Sequence, residues 1–277
     1  MDRTDRTTKK SARIVSGRVN AVVNIVRCDG RVLPTATVLT GDAISYSVPF
    51  QTVNIAIRQH LCIGSVAELT VVGTDVRSFK QTHLGPDALP YIPPPQCPSC
   101  KCRLYWSGEN MTCHNHNCCG RLADRIVSIC KVFGVRDVEP MIVNMSVIVG
   151  SYKVKNFISY YLALRETGDL DATMIANGLA KMRRSPQKGL RPYGTILRII
   201  VPNLSPKVLA NLTEAAKGCS APYRQLADTL LNVETLEHVG VRQKLAKVIV
   251  GEARAVHFDI VGLAELIDEV PVRSIPF

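Results

Sequence analysis

The chain has 277 residues, 46% of them hydrophobic, and a formal net charge of +11. That content supports folded cores in two or three small domains, and the charge favours a polyanionic partner. No run of about twenty apolar residues occurs, the opening MDRTDRTTKKSAR has no apolar h-region, and aromatics are only 5%, so no transmembrane helix, secretory signal or broad base-stacking platform is expected.

In chain order, residues 1–13 are polar and read as a flexible N-terminus. Residues 14–89 carry short β-branched runs, RIVSGRVNAVVNIVR, VLPTATVL, AISYSVPF and VAELTVVGTDV. Turn signals at Asp29-Gly30, Gly41-Asp42, Ile63-Gly64-Ser65 and Gly73-Thr74-Asp75 separate them. VNIAIRQHLC, from Val53 to Cys62, has a more helical spacing. Strands with one short helix in a segment of this length suggest a small β-barrel of the OB type. Residues 90–96, PYIPPPQ, have the composition of a stiff linker.

Residues 97–120 contain Cys97, Cys100, Cys113 and Cys118, a C-x2-C and a C-x4-C around a twelve-residue spacer. Each pair can turn two thiolates inward from a tight knuckle, and the spacer is long enough for a hairpin. Four thiolates describe a closed structural zinc finger with no open position for a substrate. Buried free thiols or a disulfide would be the plainer explanation, and a mixed site using His114 or His116 is a lesser alternative. Cys102 and Cys119 flank the pairs and read as bystanders. The chain has ten cysteines, four of them assigned to metal, which points to a reducing, cytoplasmic setting.

Residues 121–270 read as short helices broken by Gly, Pro, Asn or Asp, an all-α domain of helix-hairpin-helix units; residues 271–277 are a tail. The clearest unit is ETLEHVGVRQKLAKVIV, whose turn contains Val239, Gly240 and Val241, followed by Arg242. Such a turn can direct backbone N–H groups and a helix N-terminus at a phosphate. Leu204-Ser205-Pro206 and Phe133-Gly134-Val135-Arg136 offer two weaker units. An ordinary bundle with glycine caps would give the same pattern. Charge favours the phosphate reading. No acidic residue lies between Asp171 and Glu214, whereas Lys181, Arg183, Arg184, Lys188, Arg191, Arg198 and Lys207 all do.

The chain has no phosphate-loop motif, no dinucleotide-binding glycine fingerprint and no H-E-x-x-H. It also has no K-x-D-G; the nearest string, Arg27-Cys28-Asp29-Gly30, offers a guanidinium that stays protonated and cannot be a nucleophile.

Barrel, C-P-x-C…C-x4-C and repeated helical hairpins, in that order, resemble the C-terminal half of bacterial-type NAD-dependent DNA ligases. Gly30-Arg31-Val32-Leu33-Pro34-Thr35-Ala36-Thr37-Val38 is similar to the family's G-R-T-G…T-P-V-A string, with the second glycine lost. Ile63-Gly64-Ser65-Val66 and Val72-Gly73-Thr74-Asp75-Val76 look like its I-G-D-T-V and A-G-D-V strings. The family's nicotinamide-mononucleotide-binding, adenylation and BRCT domains have no counterpart here. The resemblance implies the second subunit of a split ligase, of the kind some large bacteriophages encode. A partner carrying the adenylation lysine would use NAD. This chain would hold nicked double-stranded DNA, with Arg31 as a candidate phosphate contact. A stand-alone zinc-containing DNA-binding or replication accessory protein, and a zinc-ribbon protein of RNA handling, are the alternatives.

Overall fold

The computed structural model describes residues 11–135 and 154–269. The chain divides into two compact units, Met1–Asn115 and His116–Phe277.

The first unit is built on a curled antiparallel sheet. Its strands are β1 (Ala12–Val26), β2 (Arg31–Thr40), β3 (Ser45–Pro49), β5 (Val66–Val72) and β6 (Asp75–His83), joined by helix α1 (Val53–Arg58) after β3. The ladder runs β6-β5-β1-β2, and β3 also pairs with β2. β1 is long enough to pair with β2 through its C-terminal half and with β5 through its N-terminal half, and its register shifts between Val19 and Ala21. A bulge of this kind bends a strand and lets a sheet curl. Gly17 allows a close approach of β1 to β2, since a Cβ there would sit 2.7 Å from the Leu39 carbonyl oxygen.

Alternate residues point inward, as period-two patterning requires. Val19, Ala36, Val38, Val48, Leu69 and Val71 form the floor of one core. Phe50, just beyond β3, meets Phe79 of β6 edge-to-face with ring centroids 5.4 Å apart. This contact closes the apolar side of the curl without a backbone ladder between β3 and β6. Helix α1 starts where Thr52 accepts a hydrogen bond from the Ile55 N–H at 3.1 Å, an N-cap.

Two short pieces extend this unit. β4 (Cys62–Ile63) pairs with β7 (Leu89–Pro90). The Tyr91 N–H donates to the Leu61 carbonyl at 2.7 Å and its hydroxyl donates to Asn24 Oδ1 at 2.6 Å. The proline-rich stretch therefore begins fixed to the sheet. β8 (Tyr105–Ser107) and β9 (Asn110–Thr112) form a hairpin in the cysteine segment. β9 then pairs with the start of β2, Arg31 opposite Thr112 and Val32 opposite Met111, so the hairpin continues the same curled sheet.

The second unit is helical: α2 (Cys119–Val132), α3 (Phe157–Thr167), α4 (Leu170–Arg184), α5 (Pro186–Ile200), α6 (Pro206–Ala216), α7 (Pro222–Leu230), α8 (Val233–His238), α9 (Gln243–Ala255) and α10 (His257–Glu269). Local chemistry starts them. Asn156, Asp169, Ser205 and Asn232 cap α3, α4, α6 and α8 with side-chain oxygens. Proline opens α5, α6 and α7, where its missing N–H costs nothing. Fully buried Phe157, Tyr160, Tyr193 and Tyr223 anchor the core these helices share. The Tyr223 hydroxyl donates to the Met182 carbonyl at 2.7 Å. It passes over Gly189, where a Cβ would lie 2.0 Å from the Tyr223 oxygen and 2.9 Å from Met182 Cα. Of the hairpin read at Phe133-Gly134-Val135-Arg136, Arg136 lies outside the described residues. Residues 1–10 and the tail at 271–277 lie outside them too. Among the described residues, no helix is long and apolar enough to cross a membrane.

Candidate metal centre and basic helical surfaces

The C-x2-C segment folds as a knuckle. The Cys97 N–H donates to the Cys102 carbonyl at 2.8 Å and the Lys101 N–H to the Cys97 carbonyl at 3.0 Å. Lys101 takes the left-handed conformation, φ 61°, that closes this turn. Its Nζ donates to the Pro98 carbonyl at 3.0 Å. Cys113 follows β9, and its N–H donates to the Gly30 carbonyl at 2.8 Å. Cys118 is the N-cap of α2 and makes no capping hydrogen bond through its side chain. A thiolate at a helix N-terminus is stabilised by the unsatisfied N–H groups there.

These local structures bring Cys97, Cys100, Cys113 and Cys118 together, with their sulfurs all within 4.8 Å of one another. Cys100 Sγ and Cys113 Sγ are 3.6 Å apart. Four sulfurs about 2.3 Å from a tetrahedral ion would be about 3.8 Å apart. The donor set therefore fits a metal ion in size and in chemistry. Burial pushes the Cys100 thiol up, but hydrogen bonds from the Cys102 N–H, Asn115 and the neighbouring thiols outweigh it and hold it at about 6. Burial pushes the Cys113 thiol up to about 12. Crowded thiols of this kind lose their remaining protons together when a cation binds. Cys97, Cys113 and Cys118 are buried and Cys100 is partly so. Cys102, Cys119, His114 and His116 are outside the cluster. Cys102 is exposed and accepts from Asn115 Nδ2 at 3.6 Å. The His114 ring meets Tyr105 edge-to-face at 5.4 Å.

The basic residues fall on two surfaces of the helical unit. Lys181 and Arg184 are exposed in the last turn of α4, and Lys188 and Arg191 are exposed on α5. Basic residues at a helix C-terminus also stabilise their own helix, so part of this pattern serves the fold. α5 itself has no side-chain N-cap, which leaves its positive end beside Lys188. Arg183 is half-buried and its charge acts on Asp268, whose carboxyl is pushed up by burial and pulled back by Arg183 and Arg224. Arg191 and Arg198 share a side of α5, and with Lys217 they line a groove of about 310 Å³ against α6. Lys207 is exposed near the start of α6. In the other unit, Arg31 is held by Asp29, Nε to Oδ2 at 2.7 Å, so its charge is partly offset.

The turn after α8 differs in detail from the sequence reading. The N–H groups of Val239, Gly240 and Val241 donate to the carbonyls of Thr235, Glu237 and Leu236. With Gly240 at φ 86°, this is a Schellman cap, and it engages all three donors. The donors left for a ligand belong to the first turn of α9. That helix has no side-chain N-cap at Arg242. Arg242, Lys244 and Lys247 are exposed around it, whereas Val241 is buried. Lys244 and Lys247 were legible as basic residues one turn apart, directly after a glycine turn.

No protein-family model matches the chain, and no curated protein matches it.

Proposed function

We propose that this chain is the DNA-binding subunit of a split NAD-dependent DNA ligase and holds nicked duplex DNA for a separate adenylation subunit. The observation that carries the reading is the order of three constructions along one chain. The first is a curled sheet with the connectivity β1-β2-β3-α1-β5-β6 and the ladder β6-β5-β1-β2-β3, which this reading takes as a partly open OB barrel. The second is the four-thiolate cluster, for which zinc is the best match because the site is closed and all-sulfur. The third is the α8–Gly240–α9 hairpin, with an uncapped, basic second helix.

In this reading the barrel lies along the duplex and Arg31 meets a phosphate. Cys97, Cys100, Cys113 and Cys118 would hold zinc, which supplies rigidity and no chemistry. The first turn of α9 with Arg242, Lys244 and Lys247, and the α4–α5 corner with Lys181, Arg184, Lys188 and Arg191, grip phosphates. Such contacts position DNA and carry no sequence information. Positioning matters because the 3′-hydroxyl must attack in line. The adenylyl acceptor belongs to the partner, since no lysine here stands in K-x-D-G.

The test is labelling with NAD radiolabelled in its adenylate, on this chain alone and with the proteins that copurify with it. The reading expects label on a partner and sealing of a nick by the pair. A covalent adenylate on this chain, or copurification of no adenylated partner, would refute the split enzyme.

A further inference from the structure

A cavity of about 570 Å³ in the helical unit is lined by residues of α2, the start of α3, the end of α9 and α10, among them Arg125, Lys155, Asn156 and Asp259. Arg125 and Asp259 are buried, with 8% and 4% of their side chains exposed. They form an ion pair, Nη1 to Oδ2, at 3.3 Å. The other carboxylate oxygen accepts the Phe157 N–H at 2.9 Å. A guanidinium carries five N–H donors. Arg125 gives one of them to a protein acceptor, and its Nε is enclosed with none. Buried guanidinium groups are ordinarily saturated, often by a bidentate carboxylate or phosphate. One carboxylate, already shared with a backbone N–H, does not saturate this one.

We propose that this cavity is a binding site for a phosphomonoester. Arg125 and the exposed Lys155 supply two positive charges on its wall. Asp259 supplies a negative one and has acceptor capacity left on both oxygens. A ligand must therefore offer acceptors to the two cations and a donor to the carboxylate. A phosphomonoester near its second pKa of about 6 does both, through its ionised oxygens and the O–H of its monoanion. A carboxylate or a sulfate has acceptors only and gives Asp259 no hydrogen to offset the like charges. The phosphate can come from a free nucleotide or from a 5′-phosphorylated nucleic-acid end. The size is within the range of small-ligand pockets. The site goes beyond the proposed duplex grip: its residues are none of those assigned to DNA phosphates above.

The test is calorimetric titration of the full chain near pH 6, where the monoanion is populated, with inorganic phosphate, sulfate and AMP, and with one short oligonucleotide bearing either a 5′-phosphate or a 5′-hydroxyl. Phosphate is expected to bind saturably and roughly tenfold or more tighter than sulfate. Lys155→Ala, at an exposed position, is expected to weaken phosphate several-fold with the circular dichroism unchanged, and Arg125→Met to abolish binding. AMP binding tighter than the oligonucleotide identifies a free nucleotide; a gain specific to the 5′-phosphorylated oligonucleotide identifies a nucleic-acid end. No saturable phosphate binding, equal affinity for sulfate, or an unchanged affinity in Lys155→Ala would overturn the site and leave water as the partner of Arg125. Because phosphate binding is read without duplex DNA, its failure would not touch the ligase reading.

Discussion

The Cys113 N–H donates to the Gly30 carbonyl at 2.8 Å, next to the point where Arg31 and Val32 pair with Thr112 and Met111. A cysteine of the candidate metal centre is thus fixed by the same backbone that carries the turn between β1 and β2. A metal ion bound at that cluster would therefore help to order that turn.

The first prediction follows from this. Purified chain should contain one zinc, and Cys113→Ser should lose it, as read by elemental analysis. Removing the metal should speed amide exchange in β8, β9 and Arg27–Gly30 while β5 and β6 stay protected. The protonation sign is fixed by the thiols. The ligands bind the metal as thiolates, so protons compete, and affinity for zinc should fall as pH is lowered. Full retention of zinc by Cys113→Ser would remove that residue from the site.

A second prediction concerns packing. Gly189→Ala would force a methyl into the Tyr223 hydroxyl and the α4 backbone. It should cost about 1–3 kcal/mol, seen as a lower urea midpoint with an unchanged slope. Gly251→Ala, in α9 with open space around it, should instead stabilise by about 0.5–1 kcal/mol. Equal effects at the two sites would mean that the close α4–α5 approach is not under constraint.

The sequence showed the strands of the curl, helix α1 and most of the later helices, because period-two runs, Thr, Asn and Asp caps and opening prolines are local signals. The cysteine spacing likewise indicated the cluster. Three features were not legible. The pairing of β9 with β2 joins segments about eighty residues apart that carry no shared pattern. The Arg125–Asp259 pair spans 134 positions, and each member looks like an ordinary charge on a helix. The V-G-V turn was legible as a turn, but its three N–H groups go to the carbonyls of α8, because a helix ending in a left-handed glycine satisfies its own last turn first.

The third prediction sorts the basic residues. Lys181→Gln, Arg184→Gln and Lys188→Gln together should weaken all duplexes alike. They should also reduce the slope of log affinity against log salt by roughly two to three, in a fluorescence titration. Arg183 is left intact because it is half-buried and its charge acts on Asp268. Unchanged affinity in the triple variant would assign these residues to helix stabilisation alone and move the grip to α9.

The most direct test of the account is the affinity of the zinc-loaded chain for a fluorescent duplex with one central nick, titrated with and without single-stranded RNA as competitor. The account predicts saturable binding that falls about a thousandfold or more between roughly 50 and 200 mM salt, and that single-stranded RNA does not displace. Absence of binding at the lower salt, or displacement of the nicked duplex by single-stranded RNA, would contradict it.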